Sequence, residues 1–216
     1  MKSMHLRINW VGLAGGVATI VVVAVSLFYP WWQLRVGDGL VTANVSPLNT
    51  SFSVLGTSFT MPLVWAMNIA SMLTFLVSGI TMIIYSLLPA KSYSKTLLGF
   101  AYKKPLYTLV AFVILLFAST FIVQALLHFS VPLEGSTNSA FPIPLIQGTT
   151  VSVLISAGFQ LPFWLAIVAA GLCIAARIYH KRVVSVQKQA VTLEVAIPSA
   201  PLATAALQEQ LAGKSD

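Results

Sequence analysis

Side chains that could perform acid–base, nucleophilic or redox chemistry are few in this sequence and do not cluster. Asp38 and Glu134 are the only carboxylates in the apolar part of the chain, and they lie far apart. Three histidines stand singly, and Cys173 is the only cysteine, expected to be a small packing residue. Acid–base catalysis and metal binding both need such groups to converge. The sequence therefore predicts a protein that is not an enzyme and that holds no cofactor or metal.

Polar residues do line up on the faces of two apolar segments. Within residues 61–88, hydroxyl and amide side chains recur every three or four positions from Asn68 to Tyr85. Within residues 105–128, three polar side chains are four positions apart, and Gln124 is expected at the depth of Asn68. Such side chains either join neighbouring helices by hydrogen bonds or line a polar pocket for a headgroup, a quinone or a small solute. The candidate residues are Asn68, Ser71, Thr120, Gln124 and His128.

The composition requires lipid as the solvent for much of the chain. Hydrophobic residues make up 57% of the 216 residues and charged residues only 8%, against roughly 25% charged in soluble proteins. Four segments are long and apolar enough to cross a bilayer. They are residues 8–29, 61–88, 105–128 and 161–179. A cleaved signal peptide is the alternative for the first segment, but aromatic residues follow it in place of a small-residue cleavage site.

The basic residues predict the orientation of these spans. Ten Lys and Arg residues flank their inner ends, whereas the outer loops, 30–60 and 129–160, contain only Arg35. By the positive-inside rule both termini lie in the cytoplasm of a plasma-membrane protein. Residues 1–182 then form the membrane domain and residues 183–216 a cytoplasmic tail. The net charge of +7 reflects topology, and no basic surface with interleaved aromatics suggests nucleic-acid binding.

Both outer loops are rich in β-forming residues. Gly37-Asp38-Gly39 is typical of a hairpin turn, Gln147-Gly148 predicts a second turn, and residues 134–139 read as a flexible start to the second loop. Isolated hairpins are marginal in water, so we expect the two loops to share one small extracellular sheet. Asn44 and Asn49 begin N-glycosylation sequons in the first loop.

Two further patterns concern the packing of the spans. Residues 47–66 resemble residues 144–166, which predicts two helix–loop–helix hairpins related by duplication. The alternative is that Pro at a helix start and Trp at an interface recur for independent reasons. Small residues form seams that serve packing inside the bundle or contacts with other subunits. These seam residues are Gly12, Gly16, Ala166 and Ala170.

These features together predict an all-α membrane protein: a four-transmembrane-helix bundle that carries a small extracellular β-sheet cap. In topology this layout resembles the claudin and tetraspanin classes of four-span proteins. The claudin W…G-L-W…C…C signature and the tetraspanin C-C-G motif are both absent. The resemblance therefore covers topology alone and implies no functional residue.

The function is predicted partly by elimination. Pumps, voltage sensors and proton-coupled transporters need charge within the membrane. The four spans contain no Asp, Glu or Lys, and Arg177 lies one turn from the end of the fourth span, where it can reach the interface. We expect a non-catalytic accessory or structural subunit that binds other membrane proteins, or copies of itself, within the lipid bilayer. One alternative is a pore or uncoupled transporter for an uncharged solute, with the polar stripe of the second span along its path. Another is a packing or quinone-site subunit of a membrane enzyme complex.

Overall fold

A computed structural model of the chain describes residues 8–89, 93–127, 130–142 and 150–196. Within these ranges the chain forms four helices and six strands. The helices are α1 (Trp10–Ser26), α2 (Pro62–Leu87), α3 (Ser94–Leu127) and α4 (Leu161–Ala196). The strands are β1 (Trp32–Val36), β2 (Val41–Val45), β3 (Ser51–Val54), β4 (Thr57–Phe59), β5 (Gly135–Pro142) and β6 (Thr150–Phe159). The protein is thus a mixed helix-and-sheet fold, and the all-α class predicted from the sequence is too narrow.

Three of the helices indicate a membrane location. By length and hydropathy, α2, α3 and α4 could each cross a bilayer, whereas α1 is apolar but has only 17 residues. The helices pack in a ring, in which α1 contacts α2 and α4 while α3 contacts the same two helices. Only 11% of the most apolar stretch of α3 is buried. Most of that helix therefore presents apolar side chains to its surroundings, as a lipid-facing helix does.

The helix bounds agree with the predicted second span and differ at the other three. α1 begins after Asn9, whose side chain accepts a hydrogen bond from the Gly12 N–H at 3.1 Å, and a turn replaces its predicted end at residues 27–29. α3 begins at Ser94, and the Ser94 hydroxyl donates to the carbonyl of Leu88. Lys95, Lys103 and Lys104, expected in a loop, therefore lie on its first turns. Good helix formers there explain the difference.

α4 continues well beyond the predicted end of the fourth span. It runs to Ala196, so residues 183–196 of the expected tail are helical. No Gly or Pro interrupts this segment before Pro198, and Lys, Gln and Ala all favour helix. Its 36 residues span about 54 Å, nearly twice the hydrocarbon thickness of a bilayer. The later part of α4 must therefore project beyond the membrane if the helix crosses it.

The strands form a single antiparallel sheet in the order β4-β3-β2-β1-β6-β5. β1 pairs with β6 from Trp32↔Phe159 to Val36↔Ile155, so the prediction that the two loops share a sheet is confirmed. The predicted turn at residues 37–39 joins β1 to β2, and all three residues there have positive φ, which favours glycine. The sheet lies at the end of the bundle where α2 and α4 begin, called the sheet end below; the opposite end is the basic end.

Two predictions about the loops need further comment. Residues 135–142 form β5 and pair with β6 along their whole length, so the expected flexible start of the second loop is wrong. β6 supplies consecutive backbone partners that the sequence of β5 alone does not reveal. Gln147-Gly148 lies outside the described residues. In the two segments that resemble each other, Leu55 sits in a turn while its counterpart Leu154 lies inside β6. The duplication stays a prediction.

Candidate functional site

A buried tryptophan fixes the sheet to the helix bundle. Trp31 immediately precedes β1 and is 0% exposed. Phe75, Phe112 and Phe163, one from each of α2, α3 and α4, meet its ring edge-on at centroid distances of 6.2, 5.1 and 6.3 Å. The indole N–H donates to the hydroxyl of Ser26, the last residue of α1, at 2.8 Å. One side chain therefore contacts all four helices where the first loop begins.

The connection between β2 and β3 forms a second attachment. The Asn49 side-chain N–H donates to the carbonyl of Leu27, just after α1, at 3.2 Å. The Asn68 amide on α2 accepts from the Thr50 N–H at 2.8 Å and donates to the Pro47 carbonyl at 3.3 Å, in the orientation that satisfies both groups. Asn68 therefore joins the sheet to α2 and does not pair with Gln124. Of the two alternatives for this residue, hydrogen-bonded glue describes its contacts, with a loop in place of a helix as its partner.

The remaining members of the candidate polar pocket do not converge. The Thr120 hydroxyl donates to the carbonyl of Phe117 within α3 at 2.9 Å, and Ser71 is half-buried on α2. Gln124 is exposed on α3, one turn before the end of the helix at Leu127. If α3 spans a bilayer, this position is near the membrane interface, where an amide can reach water. His128 lies outside the described residues.

The polar stripe of α2 is satisfied within the protein. The Ser78 hydroxyl donates to the Ala101 carbonyl of α3 at 2.6 Å. Thr74 and Thr81 donate to carbonyls one turn earlier in their own helix, those of Ala70 and Val77. The hydroxyl protons of these three residues are therefore used in hydrogen bonds within the protein.

The small-residue seams lie inside the bundle. Gly16 faces α2, and a Cβ on it would stand 2.9 Å from the Gly79 carbonyl. A Cβ on Gly12 would overlap the Ser86 hydroxyl. On α4, Ala166 and Ala170 are each 3% exposed. Close approach of helix backbones at small residues is the usual role of such seams in membranes, and these positions serve it within one chain.

The two faces of the sheet differ in chemistry because side chains alternate along each strand. The face toward the helices carries Trp32, Leu34 and Phe159, which belong to the core. The opposite face carries mainly hydroxyl and amide side chains with a single charge, together with the exposed Leu154. This polar face includes Gln33, Arg35, Thr42, Asn44, Ser51, Ser53, Ser136 and Ser156. None of the described residues covers this face of the sheet.

A shallow groove runs along this polar face. Its volume is about 420 Å³, and its lining includes Gln33, Arg35, Asp38, Thr42 and Ser156 together with the apolar side chain of Leu154. Thr42 and Ser156 flank the guanidinium group as cross-strand neighbours of Arg35 on its two sides. The groove therefore offers one cation, one carboxylate and several hydrogen-bonding groups to a partner.

A hydrogen-bonded ladder orders the side chains beside the groove. The Gln33 side-chain N–H donates to the side-chain Oδ1 of Asn44 at 2.8 Å, and the side-chain N–H of Asn44 donates to the Ser51 hydroxyl at 3.3 Å. Gly158, the other neighbour of Gln33, leaves open space above the sheet. The sequon residue Asn44 is thus engaged within the sheet, whereas Asn49 is exposed where the sheet meets α1. Glycosylation of either residue stays a prediction.

A second polar cluster at the basic end was missed by sequence reasoning. Asn9 and Tyr85 are both 0% exposed, and the Asn9 side-chain N–H donates to the Tyr85 hydroxyl at 3.0 Å. The same hydroxyl lies 2.8 Å from Nδ1 of His180 on α4, and the Asn9 backbone N–H donates to the Ser86 carbonyl at 2.9 Å. The cluster links three helices. In the sequence, the only indication of this cluster is Asn9, a typical N-cap residue directly before an apolar run.

A second groove, also of about 420 Å³, lies along the outer face of α1 and is almost wholly apolar. Its walls include Trp10, Val17, Val21 and Val168, all exposed. Among the described residues, no three His, Cys, Asp or Glu side chains come together as metal ligands would. The sequence matches no protein-family model and has no significant similarity to a characterised protein.

Proposed function

We propose that this protein is a non-catalytic, multi-pass membrane protein that serves as an accessory or structural subunit. It binds another membrane protein, or a copy of itself, chiefly through the polar face of its sheet. In this proposal all four helices cross the plasma membrane, the sheet lies outside the cell and both termini lie in the cytoplasm. The basic residues of the basic end and the single cation of the two sheet loops support that orientation.

The observation that carries the proposal is a firmly attached sheet whose polar face is left uncovered by the described residues. Trp31 and the β2–β3 connection hold the sheet on the bundle, so the face is presented in one orientation. A prearranged surface loses less conformational entropy on binding than a loose loop does. The lone Arg35 between hydroxyl groups suits the anchor role that arginine often takes at protein interfaces.

The edge of the sheet provides a second route for association. β5 pairs with β6 along eight residues and has no partner on its other side within the described sheet. None of its residues is charged, and its only proline is the last one. An unpaired edge of this kind can accept a strand from another chain. A partner on the polar face could therefore also extend the sheet at β5.

Gly158→Arg tests the polar face as a binding surface. Space above Gly158 is open and its φ is not positive, so the sheet can accept an arginine that fills the groove beside Gln33. We expect the protein to purify from its native membranes, under mild detergent, as a complex heavier than one chain. The substitution should release the single chain from that complex and leave its melting temperature unchanged. Native electrophoresis and mass photometry measure both sizes.

Gly99→Arg on α3 is the matched control, because Gly99 also faces open space but lies near the basic end. It should leave the complex intact. A complex whose mass is unaffected by arginine at position 158 would contradict binding through the polar face. A single chain in native membranes, with flux of an uncharged solute after reconstitution, would contradict the subunit role altogether.

A further inference from the structure

We propose that the basic end contains a binding site for a phosphate group, formed by Lys95, Arg177 and His180 where α3 meets α4. This inference goes beyond the proposed subunit role and does not depend on it. The source of the phosphate is a phospholipid headgroup or a soluble phosphorylated molecule. Both present the same negatively charged oxygens.

Arg177 is held in a defined position at this junction. Its guanidinium carbon lies 4.4 Å from the centroid of the Tyr102 ring, a cation–π stack. Tyr102 in turn packs against the buried cluster that includes Ala176. Stacking occupies the flat face of a guanidinium and leaves its in-plane N–H groups free for oxygen acceptors. Arginine presents these groups in a fork that matches the geometry of phosphate.

The buried polar cluster orients His180 as a further donor. The Asn9 side-chain N–H donates to the Tyr85 oxygen, so the Tyr85 O–H proton is available for Nδ1 of His180, 2.8 Å away. With Nδ1 as an acceptor, the proton of a neutral imidazole resides on Nε2. His180 then presents an N–H on the side of its ring that faces away from Tyr85. An anion can accept that hydrogen bond.

Lys95 completes the set and adds positive charge. It lies on the first turn of α3 at the same end of the bundle, and its side chain is exposed. Asp38 and Glu134 are at the sheet end of the bundle, and the next carboxylate, Glu194, is 14 residues after His180, or about 21 Å along α4. Among the residues that the structure describes, the junction therefore gathers donors and cations with no carboxylate beside them. Such a group of charges is stabilised by an external anion.

The position of the junction suits a phosphate at the membrane surface. It extends over the first three turns of α3, from Lys95 to Tyr102, and lies beside the last apolar turn of α4, where lipid phosphates would be found if these helices span a bilayer. Basic pockets between helices at this level are typical sites for anionic headgroups. Each basic residue near an anionic surface contributes about a five-fold change in binding. Removing Lys95 or Arg177 should therefore have a measurable effect.

The test uses the full chain purified in detergent and mixed with phosphatidylcholine and phosphatidylglycerol vesicles of known ratio. Native mass spectrometry counts the phosphatidylglycerol molecules retained by each protein. We expect enrichment over the supplied ratio, reduced about five-fold by Lys95→Gln or Arg177→Gln and abolished in the double variant. Both residues are exposed, so these changes should not impair folding. Lys104→Gln is the control, since Lys104 has the same charge but lies over Phe100 on another face of α3.

Millimolar glycerol phosphate, added as a competitor, distinguishes the two sources. Retention that it does not affect identifies a lipid headgroup, and displacement identifies a site open to soluble phosphates. Both results support the site, provided that the Lys95 and Arg177 variants lose the binding. Enrichment that Lys104→Gln reduces equally would overturn the site in favour of diffuse charge attraction. The absence of both phosphatidylglycerol enrichment and glycerol phosphate binding would also overturn the site.

Discussion

Trp31→Ala is expected to lower the free energy of unfolding by about 3–5 kcal/mol, the range for deleting a large buried aromatic side chain. The change removes the ring that three phenylalanines contact edge-on and the indole N–H that donates to Ser26. Because this residue lies between the sheet and all four helices, we expect the sheet to loosen together with the bundle. Unfolding of the full chain in detergent micelles, followed by near-ultraviolet circular dichroism, measures the loss.

Trp164→Ala is the control for this change. Trp164 occupies the first turn of α4 and is 52% exposed, so its removal should cost about 1 kcal/mol or less. Trp31→Phe separates the two contributions, because it keeps an aromatic ring and loses the hydrogen bond. Equal losses for alanine at positions 31 and 164 would show that Trp31 is not the anchor of the sheet.

Gly16→Leu is expected to have the second largest effect, a loss of about 3 kcal/mol. A Cβ at this position would lie 2.9 Å from the Gly79 carbonyl and 3.1 Å from the Ile83 N–H. Both neighbours are backbone atoms of α2 and cannot rotate away, so the two helices must separate. That separation removes the close packing on which helix association in lipid depends. The midpoint of unfolding in a series of increasing sodium dodecyl sulfate measures the loss.

Gly171→Leu provides the comparison for this glycine. It adds the same side chain at a position in α4 where a Cβ meets open space. We expect its unfolding midpoint to stay within the error of the unmodified protein, apart from a small gain from replacing a helical glycine. If Gly16→Leu also unfolded at the original midpoint, α1 and α2 would not be in the close contact described above.

Much of the fold follows from patterns within short stretches of the sequence. Long apolar runs predicted α2 to within one residue at each end, and the glycines at positions 37 and 39 predicted the β1–β2 turn. Pairing across the loops followed from the marginal stability of isolated hairpins. The start of α3 and the C-terminal part of α4 were missed because hydropathy predicts which residues lie in lipid. A helix can continue into water until a residue such as Gly or Pro ends it.

The polar residues were harder to interpret because their partners come from distant parts of the chain. Counting residues placed Asn68 and Gln124 at one depth, yet the partner of Asn68 is the β2–β3 connection, whose path depends on the finished sheet. Tyr85 and His180 are separated by 95 positions and meet only because α2 and α4 both reach the basic end. The residue types of Tyr85 and His180 and their spacing in the sequence do not indicate that the two side chains form a hydrogen bond. The chemistry at the basic end therefore became visible only in three dimensions.

The most direct test of this account asks whether the sheet and the basic end lie on opposite sides of the membrane. Ser136→Cys places a thiol on the exposed edge strand β5, and Ser92→Cys places one between α2 and α3, outside the described residues. The native Cys173 is buried and should not react. With an impermeant maleimide on intact cells, we expect labelling of Ser136→Cys at once and of Ser92→Cys only after permeabilisation. Labelling of Ser92→Cys in intact cells, with Ser136→Cys protected, would contradict the topology on which the proposed function depends.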